Sequence, residues 1–561
     1  MTAIDRYMTN VLRIYNRALK HLSTPARQTA AYNLALVLSI ALLLVTTAYA
    51  GLRANIAYST DSNAIVSAQL FDKTAKRPIV VPGPHSNLLV DPLFFIQGHL
   101  PYHYTSFTIG NVSLVLITMI AWAFLLIKLF GRKYEIPILL LLSSLILTSV
   151  IFSLSLGYTA IRNIQYPVAL WFVMIVNDLL RSTRRYTRRQ FWLAVIGSVL
   201  FSITLGGDSF FVYGVLVPLA VVIIWYWAQS QKFTRTMVKA AALLVAVFVG
   251  AELMKAILSA ANILDFNFAF QGQNTIIPTH SLAPSITFAL QQLLDLQGGN
   301  IFGQVVHLHN LATFVNFGLF LAGLVGLVMV LVRANRSYRL KAGIADDNNF
   351  VFVAIAVSYF VVFWIYVLSG YVITTLPNGQ IISVQNTRYI SFMPLLGTVG
   401  IIWLLKNYYS KARALVAVIC VVFVISMAVG FSGVNTAYKS GVQMELAPSR
   451  ASINQIIDIL HQNDVNTILA DYWYAPVLTF WSNSQFGLAA QPTCAPTGQG
   501  HQFTQKKGTK TALIIDRGGL NYAFWNCSDE HIVQTYGTPV KKLEVPGVTS
   551  NPVQIWIYSR D

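Results

Sequence analysis

Eleven stretches of the chain are apolar and long enough to read as membrane-crossing helices, and polar loops separate them. They fall at about 32–52, 112–130, 136–156, 166–180, 191–205, 210–228, 238–260, 311–332, 350–373, 389–405 and 414–431. A helix rising about 1.5 Å per residue needs roughly 20 apolar residues to cross about 30 Å of hydrocarbon. The pattern therefore predicts a mainly α fold, a polytopic transmembrane helical bundle of about eleven spans. The run 166–180 is short and flanked by polar residues, so it is the least regular. An odd number of spans puts the two termini on opposite sides. Ala48-Tyr49-Ala50 resembles a signal-peptidase site, but the run before it is longer than a signal core and follows a long tail. The first span is therefore expected to be retained.

Three polar segments are large, at 53–108, 262–310 and 432–561. The first holds a helix-like stretch at 61–71, then a turn region with Pro78, Pro82, Gly83 and Pro84. It returns through His99, Tyr102, His103 and Tyr104. The second is rich in Gln, Asn, Gly and Thr, carries His280, His307 and His309, and has no Lys or Arg. The third alternates like a small α/β domain. Ile453, Ile456, Ile457 and Leu460 have helical spacing over 449–462, with Ser449 or Ser452 able to cap. Strands are expected at 467–470, 512–515, 540–545 and 553–558, and a second helix at 474–482. The expected organisation is a transmembrane domain over 1–431 and an α/β domain over 432–561. The two halves of the bundle share no matching broken helices of the inverted-repeat transporter kind.

Charge adds orientation. Basic clusters recur in alternate loops: Arg6 to Arg27, then Lys128, Arg132 and Lys133, then Arg181 to Arg189. Lys232, Arg235 and Lys239 follow, then Arg333, Arg336, Arg339 and Lys341, then Lys406, Lys411 and Arg413. The intervening loops hold Asp61, Asp91, Asp208, Asp265 and Asp295. Lys and Arg concentrate on the cytoplasmic side of membrane proteins. The N-terminus is therefore expected in the cytoplasm and 432–561 outside, in a multi-pass protein of the inner (plasma) membrane. A mean hydropathy of +0.58, with 55% apolar and 11% charged residues, excludes a soluble enzyme. The net charge of +18 is explained by membrane-flanking cations meeting lipid headgroups, and no basic-aromatic stripe points to nucleic acid. Cys420 lies in a span, whereas Cys494 and Cys527 fall in the last domain, where an oxidising compartment would permit a disulfide.

Candidate chemistry gathers at the outer ends of spans. Asp61, in Ser59-Thr60-Asp61-Ser62-Asn63, follows the first span and fits either a general base at the membrane surface or a helix N-cap. Asp208, in Leu205-Gly206-Gly207-Asp208-Ser209, fits a second acid or metal ligand in the same vestibule, or a cap for the next helix. Arg162 and Arg388 are the outside exceptions to the basic-inside pattern. A guanidinium there needs an anion, and a phosphate, a lipid headgroup or a structural carboxylate would serve. Lys255 has Glu252 three residues earlier, the spacing of an intrahelical pair. His99 and His103 are four apart, but Pro101 between them disfavours one helix carrying a zinc site. No GxxxxGK loop and no GxSxG elbow occurs, so nucleotide-driven pumping is unsupported.

Taken together, an outside acid after the first span, the late Arg388-Tyr389…Pro394 span, and Ala470-Asp471-Tyr472-Trp473-Tyr474-Ala475 with Leu478-Thr479-Phe480-Trp481-Ser482 resemble the GT-C class of polytopic glycosyltransferases. The protein-mannosyltransferase and aminoarabinose-transferase-like bacterial members are the nearest in kind. The resemblance implies transfer of a sugar from a polyprenyl-phosphate donor to a glycan, lipid or protein acceptor at the outer membrane face. It places Asp61 as the base. Arg388 and Arg162 would hold the donor phosphate, and Asp91, His99, Tyr102 and His103 would line the acceptor pocket. The class commonly has a second acid directly after the first, and here Ser62 stands instead. Asp208 then becomes the candidate second acid, with magnesium or manganese as the one cofactor the chemistry admits. A transporter or flippase of a lipid-linked sugar would use the same arginines without a base. A non-catalytic envelope scaffold would bind no lipid phosphate at all.

Overall fold

A backbone N–H or C=O left unbonded in hydrocarbon costs several kcal/mol, so the apolar runs fold as helices, which satisfy every such group within one segment. The computed structural model describes residues 25–57, 79–80, 88–89, 103–157, 162–181, 187–230, 234–265, 276–303, 311–339, 349–375, 381–383, 387–408, 420–431, 450–470, 478, 482, 487–488, 510–515, 528–545 and 552–559. The helical part comprises α1 (Pro25–Ala57), α2 (His103–Phe130), α3 (Glu135–Thr148), α4 (Val150–Gly157), α5 (Gln165–Arg181), α6 (Arg188–Gly207), α7 (Val217–Ser230) and α8 (Arg235–Ala260). It continues through α9 (Leu282–Leu296), α10 (Leu311–Arg339), α11 (Asn349–Leu368), α12 (Met393–Tyr408) and α13 (Cys420–Phe431).

Six of these, α1, α2, α6, α8, α10 and α11, are long and apolar enough to cross a membrane. The other expected spans are shorter helices, and a polar residue accounts for one of the breaks. The run 136–156 divides at Ser149, whose backbone is extended and whose hydroxyl donates to the Asp295 carbonyl at 2.6 Å. The run 210–228 begins with a π-helical turn, Val212–Leu216. The run 389–405 begins as a 3-10 turn, Thr387–Tyr389, before α12. The run 350–373 stops at Leu368, and Ile373 opens a strand. Cys420 is a free thiol, whereas Cys494, Cys527 and the stretch 61–71 lie outside the described residues, as does most of 474–482.

Helix α11 is apolar around its whole circumference and sits at the centre, with 61% of its apolar window buried. Lipid tails are as apolar as Leu, so close backbone approach rather than the hydrophobic effect holds neighbouring helices together. Between α10 and α12, a Cβ on Gly323 would lie 3.0 Å from the Gly397 carbonyl oxygen. Gly326 and Gly400, one turn further along, approach more tightly still.

Polar contacts sort by helix end. Tyr32 with Glu135, Tyr134 with the Lys406 carbonyl (3.4 Å) and Arg333 with Asn407 join segments that carry the basic clusters. At the opposite ends, the Tyr49 and Phe431 rings lie 5.2 Å apart, and Ser285 donates to the Val367 carbonyl at 2.6 Å. The two long loops also meet there. Strand β1 (Ile79–Val80) pairs in parallel with β2 (Leu264–Asp265), and β3 (Ile373–Thr375) forms a hairpin with β4 (Ile381–Ser383).

A five-stranded mixed sheet follows in the chain, built from β5 (Thr467–Leu469), β6 (Gly487–Leu488), β7 (Lys510–Ile515), β8 (Lys541–Val545) and β9 (Val553–Ser559). Its order is β6-β5-β7-β9-β8, with β6, β5 and β7 parallel and β9 antiparallel to both its neighbours. Period-two alternation covers both faces. Ala512, Ile514, Ile555 and Ile557 pack under α14 (Arg450–Gln462) through Ile453, Ile456 and Leu460. Leu513, Ile515, Trp556 and Tyr558 pack with Ile532 of α15 (Asp529–Tyr536), which Ser528 caps. Leu114 of α2 belongs to the first of these clusters, so the sheet is seated against the bundle.

Candidate functional site

Three short segments converge at the bundle end away from the basic clusters: 162–166, 208–211 and 387–393. Helix α6 ends because Gly206 and Gly207 weaken it and Asp208 turns extended, its N–H still bonded to the Thr204 carbonyl at 2.9 Å. Gly206 also lets α6 lie close to α8: a Cβ there would meet the Met254 methyl, the movable end of a flexible side chain, and would lie 3.3 Å from the Ala251 carbonyl oxygen. The Asp208 carboxylate then turns back and accepts the Phe210 N–H at 2.9 Å, an Asx-type turn. Opposite it, Asn163 anchors its segment by donating to the Leu156 carbonyl at 2.5 Å.

Arg162 meets Asp208 through a planar fork. Its Nε donates to Oδ2, and its Nη2 donates to Oδ1 at 3.3 Å. The pair is almost wholly buried, at 4% and 1% exposure. Burial disfavours a charged guanidinium, yet the adjacent Asp208 carboxylate outweighs it and holds Arg162 firmly protonated. An aromatic shell closes the pair off. The guanidinium carbon lies 4.1 Å from the Phe210 ring centre and 5.0 Å from that of Tyr389. Tyr389 packs on Tyr371 at 4.2 Å, and Phe392 stacks on Tyr166 at 4.8 Å.

The sequence-predicted residues are distributed unequally around this cluster. Arg162 and Asp208, read as separate candidates, are brought together, and the anion that Arg162 requires is a structural carboxylate of the same chain. Asp208 serves as a helix cap and as an ion-pair partner at once. Arg388 lies in the 387–389 turn, next in sequence to the Tyr389 that covers Arg162. His103 opens α2. Asp61, Asp91, His99 and Tyr102 lie outside the described residues. Among the described residues, no three His, Cys, Asp or Glu side chains stand together in a metal-holding group. Lys255 Nζ and Glu252 Oε1 are 2.8 Å apart, the expected intrahelical pair.

Sequence reasoning missed the aromatic shell. Its signal was present, because Phe210, Phe211 and Tyr389 are immediate neighbours of the singled-out Asp208 and Arg388. The chain matches no family model and no curated protein.

Proposed function

We propose that the protein is a GT-C-type membrane glycosyltransferase using a polyprenyl-phosphate sugar. In this reading about eleven segments cross or enter the inner (plasma) membrane. The N-terminus is cytoplasmic, and 432–561 form an extracytoplasmic α/β domain. The observation that carries the reading is the convergence of 162–166, 208–211 and 387–393 at the bundle end free of basic clusters.

The proposed reaction is one inverting displacement. Asp61 takes the proton from the acceptor hydroxyl, whose oxygen forms a bond to the anomeric carbon as the bond to the lipid phosphate breaks. Arg388 stabilises the negative charge that develops on the departing phosphate. Arg162, already matched to Asp208, contributes by fixing the turn that carries Arg388, while Asp91, His99, Tyr102 and His103 line the acceptor side. A magnesium or manganese ion beside the phosphate is compatible with this scheme.

Asp61→Asn should abolish sugar transfer in vesicles while donor binding persists, and Arg388→Ala should weaken donor binding. Wild-type rates of lipid-linked sugar translocation by Asp61→Asn, with no transfer by either form, would instead identify a transporter or flippase.

A further inference from the structure

Helix α3 carries two consecutive buried serines whose hydroxyls fare differently. Ser143 donates to the Leu139 carbonyl at 2.8 Å, the usual way in which a helical serine is satisfied. Ser144 is fully buried, and its hydroxyl has no partner among the described residues. A hydroxyl left unpaired in an apolar interior is costly, so what surrounds it matters. It borders a small cavity between α3, α10, α12 and the turn that ends α9, with room for about one water molecule.

Gln297, the C-cap of α9, reaches the same cavity. It is 7% exposed, and its side-chain amide bonds no described residue. Its Nε2 lies 3.8 Å from where a Cβ on Gly397 would stand, beside the glycine contact between α10 and α12. Two further polar side chains belong to the wall. Thr398 Oγ1 donates to the Leu395 carbonyl at 2.6 Å, and Asn316 Oδ1 accepts the Ser426 hydroxyl at 2.8 Å. Each of these two oxygens keeps a spare lone pair. The rest of the lining is aliphatic, Leu141 and Leu145 included, and no lining side chain is charged.

We propose that this cavity binds a single water molecule, which joins Ser144 and Gln297 to Thr398 and Asn316. The Ser144 hydroxyl and the Gln297 amide N–H donate to the water oxygen, and the water hydrogens go to Thr398 Oγ1 and Asn316 Oδ1. A buried water typically makes about three hydrogen bonds, to groups that would otherwise go unsatisfied. A bare cation fits worse, because it would shed its hydration shell with no carboxylate in the wall to balance it. The water gives the end of α9 a further tie to the bundle. The Ser149 hydroxyl already holds the Asp295 carbonyl at 2.6 Å, and Asn316 Nδ2 holds the Gly298 carbonyl at 3.4 Å. The site shares no residue with the Arg162–Asp208 cluster and does not depend on the reaction proposed above.

The test is radiolytic hydroxyl-radical labelling of the full chain in nanodiscs, where water held beside a buried side chain marks that side chain. Leu145, which lines the cavity, should be oxidised well above Leu142, which is fully buried on the same helix away from it. Ser144→Ala with Gln297→Leu removes both unpaired groups and should bring Leu145 down to the level of Leu142. Equal labelling of the two leucines in the wild-type protein would overturn the proposal. So would Leu145 labelling that persists in the double variant. A melting temperature that falls in the wild type, and not in the double variant, when sodium chloride is replaced by choline chloride would overturn it in favour of a bound cation.

Discussion

Removing one member of a buried ion pair strands the other, at about 3–5 kcal/mol, whereas replacing both by apolar groups of similar size is often near neutral. Arg162→Met should therefore destabilise the protein by about that amount in thermal melts in detergent. Arg162→Met with Asp208→Leu should recover most of the loss. If the pair matters chiefly for holding the 387–389 turn, the double variant stays folded yet binds donor more weakly. Two tyrosines of the sheet layer give a pH prediction. Burial pushes the Tyr536 phenol above its usual value, and burial with Tyr536 and Asp529 nearby does the same to Tyr558. A raised folded pKa means stability fully present below the unfolded value of about 10 and lost as pH rises through the folded one. The sheet should accordingly loosen in strong alkali, and Tyr536→Phe with Tyr558→Phe should flatten that limb of the curve in circular dichroism. Asp61 and Arg388 stood out in the sequence through position and through the resemblance. The matching of Arg162 to Asp208 did not, because 46 residues separate them and only tertiary folding sets their distance.

Helix pairing rests on contacts that admit no extra atoms. A side chain at Gly326 or Gly400 has nowhere to go, so Gly326→Leu should force α10 and α12 apart and cost several kcal/mol, read as loss of monodisperse protein after extraction. Gly318, which faces open space, should accept Ala with little effect. Elements with uninterrupted apolar runs, such as α8, α10 and α11, were legible from hydropathy. Alternation likewise marked β9. Helix α9 was not legible, because 262–310 was read by its Gln, Asn and Gly content. Yet Ser285, Ala289, Gln292, Leu293 and Leu296 form one buried helical face. Polar Ser285 and Gln292 on that face are matched by partners, Gln292 bonding Ser383 at 2.9 Å, which hydropathy does not anticipate. The break at Ser149 escaped for the same reason, since its partner is a carbonyl on α9.

For the molecule as a whole, the charge alternation and the sorting of contacts by helix end make a joint prediction. A cysteine introduced at exposed Val540, in a background with native cysteines removed, should react with an impermeant thiol reagent in intact spheroplasts. Reaction only after lysis would invert the orientation. The pairing of β1 with β2 bears on time rather than on space. Ile79 finds its neighbour only once Leu264 has been made. At about 5–20 residues per second the wait is on the order of ten to forty seconds. During that interval Ile79 and Val80 lack the strand they pair with. Chains arrested before 264 should therefore be cut there by protease more readily than chains arrested beyond it.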